Sequence, residues 1–119
     1  MKKTVVIGAS ENPERYAWLA VNSLLEHKHE VHAVGLKEGN IGPVKIHKGF
    51  PEFEDVNTVS LYVGPRHQDY WKDYILSLKP ERVIFNPGTE NDALEALLEK
   101  NNIKPVHACT LVMLSIGNY

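Results

Sequence analysis

The sequence predicts an α/β fold: one doubly wound, parallel, five-stranded sheet with helices on both faces. Five short apolar segments recur along the chain, and most are nearly continuous in apolar residues, as is typical of strands buried on both faces. Segments with helical spacing separate several of them, and this alternation indicates parallel strands joined by right-handed crossovers. The length predicts a single domain over residues 1–119, and no repeat or low-complexity segment divides it.

The predicted strands are short and follow one another at intervals that leave room for helices. They are Thr4–Ile7, Val31–Leu36, Val59–Val63, Arg82–Phe85 and Pro105–Cys109. Because their apolar residues do not alternate with polar ones, we expect helices to cover both faces of the sheet.

Two of the predicted helices lie in the first two thirds of the chain. The first begins at Asn12, which can cap it, with Pro13 in its first turn. Its inward face is expected to carry Ala17, Ala20, Val21, Leu24 and Leu25. The second follows Pro65 and stops before Pro80, since proline cannot continue a helix. Its inward residues are expected to be Tyr70, Tyr74, Ile75 and Leu78.

The third helix is predicted from a capping signal. Thr89 is followed three residues later by Asp92, a capping-box arrangement, and the helical pattern runs on to Asn101-Asn102. By contrast, residues 37–57 show no helical spacing and are rich in Gly, Pro and charge. This segment is predicted to be a long connection with a short strand at Val44–His47.

The composition excludes several classes of function. A formal net charge of −2 opposes binding to nucleic acid or to an anionic membrane. One cysteine precludes an internal disulfide and suits a reducing compartment. Neither the N-terminal residues nor the C-terminal LVMLSIG segment is long enough for a signal peptide or a membrane span. No metal-ligand set stands out. We therefore expect a cytoplasmic protein with a small-molecule ligand.

The loop after the first strand is the clearest candidate site. When the dinucleotide motif G-x-G-x-x-G is overlaid on it, Gly8, Ser10 and Pro13 occupy the glycine positions, so only the first glycine is present. Gly8 permits a tight turn, the amides near Ala9 and Ser10 can face an anion, and the helix after Asn12 adds its positive dipole end. The loop therefore resembles a phosphate-binding loop of a different type.

Two basic residues bear on this interpretation. Arg15 is predicted to lie in the first helical turn, where the dipole favours an acid, so a cation there indicates a phosphate clamp. The alternative is that Asn12-Pro13 only starts a helix and Arg15 faces solvent. Lys37, after the second strand, fits a ligand with an extra phosphate on its adenosine ribose, or it faces water. Glu38 beside it leaves NAD open.

These residues resemble a known family. The segment GASENPER (Gly8–Arg15) is similar to the G-A-S-x-N-P-x-R loop of small coenzyme A-binding, Rossmann-like proteins. These are stand-alone relatives of the CoA-binding domain in the α subunit of succinyl-CoA synthetase. The similarity extends over almost the whole chain. Two segments depart from it: Gly35-Leu36, where the family has Asn-Pro, and His107-Ala108-Cys109, where it has Asp-Arg-Cys.

The resemblance implies a set of ligand contacts. Gly8, Ala9, Ser10 and Arg15 would hold the pyrophosphate of coenzyme A, within a loop that includes Asn12 and Pro13. Lys37 would lie near the adenosine. The rest of the crevice would be lined by Gly64, Pro65, Asn86, Pro87 and Gly88.

The expected function is binding rather than catalysis. Cys109 is the one nucleophile that stands out, and His107 two residues before it has no evident orienting acid, so packing is the simpler role. A mixed disulfide with a CoA thiol is the alternative. We therefore expect a protein that binds CoA or an acyl-CoA as carrier, sensor or partner subunit, alone or as a homodimer. The alternatives are an NADP-dependent reductase, an acyl-CoA ligase subunit completed by another chain, or an interaction protein that has lost the ligand.

Overall fold

The computed structural model describes all 119 residues. Strands and helices alternate over most of the chain. In order they are β1 (Thr4–Ile7), α1 (Tyr16–Glu26), β2 (Val31–Gly35), β3 (Gly39–Ile41), β4 (Val44–Lys48), β5 (Thr58–Leu61), α2 (Asp69–Leu78), β6 (Arg82–Phe85), α3 (Asp92–Lys100), β7 (Lys104–His107) and α4 (Thr110–Ser115). None of the helices is both long and apolar enough to span a membrane.

The sheet confirms the α/β prediction but not its strand count. Seven strands lie in the order β3-β4-β2-β1-β5-β6-β7, and all neighbours are parallel except β3 and β4, which are antiparallel. The prediction of five parallel strands is therefore wrong, and the sheet is mixed. The additional strands form a hairpin within residues 37–57, where the strand expected at Val44–His47 runs to Lys48. Strand β3 has only three residues, too few to show a periodic pattern.

Two hydrophobic cores lie on opposite faces of the sheet. Val5 and Ile7 point to the face covered by α2 and α3, whereas Val6 points to the face covered by α1 and α4. Successive strand residues point to opposite faces, so four-residue strands supply both cores. This is why the predicted strands read as continuous apolar segments rather than alternating ones.

Helix α1 begins later than predicted. The Asn12 side chain accepts a hydrogen bond from the Glu14 amide (3.0 Å), and its carbonyl accepts one from the Arg15 amide (3.0 Å). Asn12 and Pro13 therefore build a turn before the helix, and Arg15 occupies the N-cap position of α1. The predicted start at Asn12 was wrong because an Asn-Pro pair suits either a cap or a tight turn.

Two further corrections concern α2 and α3. In α2 it is Trp71, 2% exposed, that faces the core, whereas Tyr70 is 54% exposed. In α3 the N-cap is Asn91, whose side chain accepts from the Leu94 amide (3.2 Å), while Glu95 accepts from the Asn91 amide (3.1 Å). Helix α3 therefore has reciprocal capping interactions, but its N-cap is two residues later than the predicted Thr89.

The C-terminal segment folds back across the start of the sheet. Helix α4 has six residues and was not predicted, and β7 ends two residues before Cys109. The chain ends at Tyr119, whose hydroxyl bonds the buried Thr4 hydroxyl (2.6 Å). The centroid of the Tyr119 ring lies 4.9 Å from the centroid of the His29 ring. It lies 4.6 Å from the guanidinium carbon of Arg82. These contacts fix the end of the chain to the amino edge of the sheet.

The environment of His29 makes stability depend on pH. Its Nδ1 accepts a hydrogen bond from the Lys2 amide (2.9 Å), which requires that nitrogen to be unprotonated. Burial, followed by the N-terminal amino group, His27, Lys2 and Arg82, holds the pKa of His29 below its usual 6.5. Folding therefore favours the neutral form of His29. Its contribution to the free energy of unfolding is fully present above pH 6.5 and is lost as the pH falls through the lowered pKa.

We expect His29→Gln to reduce the loss of unfolding free energy between about pH 7.5 and about pH 5.5, because the variant has no imidazole to protonate at this position. Urea unfolding at both pH values measures the difference. His67→Gln, at an exposed position, is the control for losing a histidine elsewhere. An identical pH dependence in parent and His29→Gln would contradict this assignment.

Candidate functional site

The candidate site lies at the carboxyl ends of β1 and β5, where an open α/β sheet is expected to have its ligand crevice. The chain leaves β1 toward β2 on one side and leaves β5 toward β6 on the other, so the strand order reverses here. Gly8 follows β1 and has φ of +95°, and a Cβ at this position would lie 2.8 Å from the Tyr62 carbonyl oxygen. Only glycine therefore fits where the loop turns over β5.

The loop is also held against the end of β2. The amides of Gly8 and Ala9 both donate to the Val34 carbonyl, at 2.9 and 3.0 Å. A Cβ on Gly35 would lie 2.5 Å from the Ala9 carbonyl oxygen, so the loop can pack there only because residue 35 is glycine. Sequence analysis missed this role of Gly35. The signal available was a glycine at the end of a buried strand.

The next residues of the loop turn polar groups outward. The Ala9 amide is used by Val34, but the amides of Ser10 and Glu11 have no acceptor within the chain. The Ser10 hydroxyl accepts a hydrogen bond from the Asn12 amide (3.1 Å), which leaves its own proton free to donate. Arg15 is exposed, and its guanidinium takes part in none of the ion pairs of the chain. Three kinds of anion donor thus occur within six residues.

The loop is tied sideways to the β3–β4 hairpin. Glu11 Oε2 accepts a hydrogen bond from the Asn40 amide at the start of the hairpin (3.0 Å). The hairpin follows the connection that contains Lys37, an exposed residue two positions after Gly35. The loop residues and Lys37, which were predicted to bind the ligand, therefore lie along one edge of the sheet.

The opposite wall of the crevice is organised by Gln68, which sequence analysis also missed. Its side chain is 1% exposed, and Nε2 donates to the carbonyls of Val63 (2.8 Å) and Thr89 (2.7 Å). Its Oε1 accepts from the Asn91 side chain (2.9 Å). One buried amide thus joins the loops after β5 and β6. Nothing in the local sequence distinguishes this glutamine from a surface residue.

Asn86 has a similar role beneath the crevice. Its Nδ2 donates to the Leu61 carbonyl (2.9 Å) and to the Ser60 hydroxyl (3.1 Å), and its Oδ1 accepts from the Thr110 amide (2.8 Å). All the polar atoms of this side chain are therefore used within the chain. Asn86 joins β5, β6 and α4 at the level of the site.

The other residues expected on this side lie at the surface. Pro65, Pro87 and Gly88 are exposed, and Gly64 has open space where a side chain would project. Gly88 has φ of +93°, and its amide donates to the Glu90 carboxylate (2.9 Å). A Cβ on Gly64 or Gly88 would meet no atom within 4 Å, so the surface is open at both glycines.

Cys109 lies just after β7, whose carboxyl end is at the same edge of the sheet as the loop at Gly8. Cys109 is half-buried at the N-cap of α4 and is a free thiol. The buried Tyr62 hydroxyl has no hydrogen-bond partner, and burial raises its pKa to about 12. His107 does have an acidic neighbour, since its Nε2 lies 2.6 Å from Glu95 Oε1, which corrects the expectation that no acid is near it. The relevant acid comes from α3, twelve residues away in sequence.

A family model for CoA binding domains matches residues 2–115. The chain belongs to this family. The match covers both the loop at Gly8 and the loops after β5 and β6, so it includes every residue of the crevice. No protein of curated function matches the chain in sequence.

Solved structures share the fold of this CoA binding domain. A crystal structure of an uncharacterized protein is 51% identical, covers 100% of this chain and 98% of its own, and has a TM-score of 0.97. A hypothetical protein from Pyrococcus horikoshii OT3 is 24% identical over 97% of this chain and 82% of its own, with a TM-score of 0.84. The third is acetyl-coenzyme A synthetase 1 of Ca. Korarchaeum cryptofilum, 15% identical over 88% of this chain and 25% of the enzyme, with a TM-score of 0.67.

We expect Gly35→Ala to destabilise this CoA binding domain by about 1–3 kcal/mol, because the added methyl group must displace the backbone of Ala9. The matched control is Gly64→Ala, at a glycine with open space and φ of −64°. Urea unfolding of both variants measures the cost. Equal stabilities of the two variants would show that the loop moves away from β2 without penalty.

Proposed function

We propose that this protein binds coenzyme A or an acyl-CoA through the loop Gly8–Arg15, without a catalytic step of its own. It would act as a carrier, a sensor or a subunit that presents the ligand to a partner chain or a second copy. The observation that carries the proposal is the set of unpaired anion donors in this loop, within a chain that belongs to the CoA binding domain family.

The pyrophosphate is the group best suited to these donors. The free amides of Ser10 and Glu11 and the Ser10 hydroxyl can donate to phosphate oxygens in place of the bare backbone of a glycine-rich loop. Arg15, at the N-cap of α1, adds a guanidinium that can bind two phosphate oxygens at once. The dipole of the eleven-residue α1 favours an anion at the same end.

The remaining contacts follow from the direction of the crevice. With the pyrophosphate on the loop, the adenosine would extend toward β2 and Lys37. The pantetheine arm would extend over β5 and β6, past Gly64, Pro65, Pro87 and Gly88, with Asn86 supporting the crevice from below. The thiol or thioester end would then approach the half-buried Cys109.

The second candidate is a subunit of an acyl-CoA ligase that another chain completes. The shared fold with about a quarter of an acetyl-coenzyme A synthetase favours it, since the rest of such an enzyme would have to come from elsewhere. An NADP-dependent reductase is the remaining alternative to be tested. The single cysteine, which is free, supports a reducing compartment, and we infer the cytoplasm.

Melting curves with CoA, acetyl-CoA, NAD and NADP test the proposal directly. A ligand at about 100 times its dissociation constant adds ~2.7 kcal/mol to the free energy of unfolding, which should raise the midpoint of a domain of this size by roughly ten degrees. We expect that rise with CoA or acetyl-CoA. A rise with NADP alone would support the reductase, and no rise with any of them would contradict the proposal.

We also expect Arg15→Ala to weaken CoA binding by ~1.5–3 kcal/mol with the fold unchanged, because a hydrogen bond to a charged group is lost. Lys104→Ala is the control, since it removes an exposed positive charge at the amino end of β7, away from the crevice. Titration calorimetry measures both affinities. Equal affinity in Arg15→Ala and the parent would exclude the clamp.

A further inference from the structure

We propose that two copies of this chain associate through the outer face of α1 and α4, with their α1 helices antiparallel across a two-fold axis. This α1–α4 face is formed by the exposed side chains of Tyr16 and Leu19 on α1, Val112 on α4 and Ile116 directly after it. The inference goes beyond the proposed function and does not depend on it, since none of these four residues is assigned to the ligand site.

The exposed apolar side chains of the chain are concentrated on this face. Helices α1 and α4 pack against each other on one side of the sheet and contribute to the same hydrophobic core. Val112 and Ile116 are four residues apart and therefore project from the same side of α4, and Tyr16 and Leu19 are three apart on α1. Four of the eight large apolar side chains that the chain exposes thus belong to one helix pair. Such a grouping marks an interaction surface.

The same two helices carry almost no charge. No Asp, Glu, Lys or Arg occurs in residues 16–25 or in residues 110–115. On the opposite side of the sheet, α2 has three charged residues among ten and α3 has four among nine. Charged residues are depleted from the cores of protein interfaces. The α1–α4 face therefore has the composition of an interface core, whereas α2 and α3 have that of a solvated surface.

The charges at the two ends of α1 identify a second copy as the partner. Arg15 is at the N-cap and Glu26 is the last residue; both are exposed, and neither belongs to an ion pair of the chain. Each has the sign that the dipole of its own helix disfavours at that end. Leu19, Asn22 and Glu26 follow Arg15 at intervals of four, three and four residues, so these positions share one side of the helix.

An antiparallel copy of α1 compensates both charges at once. A two-fold axis beside the middle of the helix sets Arg15 of each copy level with Glu26 of the other, so that one contact is made twice. Each charge then also lies beside the end of the neighbouring dipole that favours it. Glu14 and Lys28, which are exposed and outside the ion pairs, extend the same complementarity beyond the two ends. A second copy supplies all of these matching charges by symmetry.

Sedimentation velocity of the intact chain over a wide range of protein concentration measures this association. Nucleotides are left out, because Arg15 is also the proposed phosphate clamp. We expect the parent to show a monomer–dimer equilibrium.

The charge contacts are tested by exchanging the two ends of α1. Glu26→Arg should weaken the dimer about tenfold or more, because it sets two cations against each other at both ends of the helix pair. Arg15→Glu combined with Glu26→Arg restores both pairs with reversed sign, and should return the dissociation constant to within about threefold of the parent. The matched control is Glu99→Arg, which changes an exposed glutamate in the last turn of α3, on the opposite side of the sheet. It should leave the dimer unchanged.

The apolar contacts are tested by a lysine on the same face. Ile116→Lys should also weaken the dimer about tenfold or more, because an unpaired charge would be buried between the copies. Leu36→Lys is its control: it changes an apolar side chain of similar exposure, 68% against 66%, after β2 and away from the α1–α4 face. Melting curves confirm that each variant folds.

The outcomes decide between a second copy and other occupants of the face. A parent that stays monomeric at every concentration would overturn the proposal, and its retention on phosphatidylcholine vesicles would then assign the face to a membrane. A dimer that withstands both Glu26→Arg and Ile116→Lys would overturn it as well, since the copies would then meet elsewhere. Failure of the folded double variant to recover the dimer would exclude the antiparallel arrangement. None of these results depends on whether the chain binds CoA.

Discussion

The contact of one loop with the ends of two strands is the constraint on which the site depends. Gly8 turns against the Tyr62 carbonyl, and the Ala9 carbonyl lies where a side chain of residue 35 would be. Both contacts are between backbone atoms, which cannot move aside as a flexible side chain can. Because Val34 accepts two successive amides, the loop is fixed before its polar part begins. The free donors of Ser10 and Glu11 follow from that fixed start.

The other half of the crevice is fixed by buried amides rather than by glycines. Gln68 and Asn86 are each 1% exposed, and every polar atom of their side chains is bonded within the chain. Removing one partner of such a bond leaves another buried group unpaired, which costs more than the bond contributes. The loops after β5 and β6 are therefore held in place before a ligand arrives. Binding of the proposed ligand would then require less ordering of the protein, which favours affinity.

The elements that could be predicted from the sequence are those long enough to show a periodic pattern of apolar residues. The apolar segments at β1 and β6 have the predicted bounds, and the inward faces of α1 and α2 are largely correct, with Tyr70 the error. Strand β3 has three residues, fewer than two repeats of the strand period. Helix α4 has six residues, fewer than two helical turns, so neither element shows a periodic pattern. Helix starts were misplaced because several polar residues in a row can serve as a cap.

The candidate site divides in the same way. Gly8 and Arg15 could be proposed as site residues because they lie close together in the sequence, within one loop. The structural roles of Gly35 and Gln68 could not, because one depends on which loop packs against β2 and the other on carbonyls of two separate loops. A residue whose importance comes from strand register or from a distant carbonyl leaves no local signal. Predicting these roles requires knowing which strands and loops are neighbours in the fold, and secondary-structure propensity does not supply that.

The formal net charge of −2 is compatible with the proposed anionic ligand, because the charged residues are distributed unevenly over the two edges of the sheet. At physiological ionic strength the screening length is about 8 Å, so the field that a phosphate meets is set by the residues at its own edge of the sheet. The acid Glu30, at the start of β2, is paired with Lys3 and His32 at the amino edge. Arg15 and Lys37, at the carboxyl edge, pair with no acid of their own chain. A small negative net charge therefore does not oppose the proposed binding of a nucleotide, which contacts only a few charged residues.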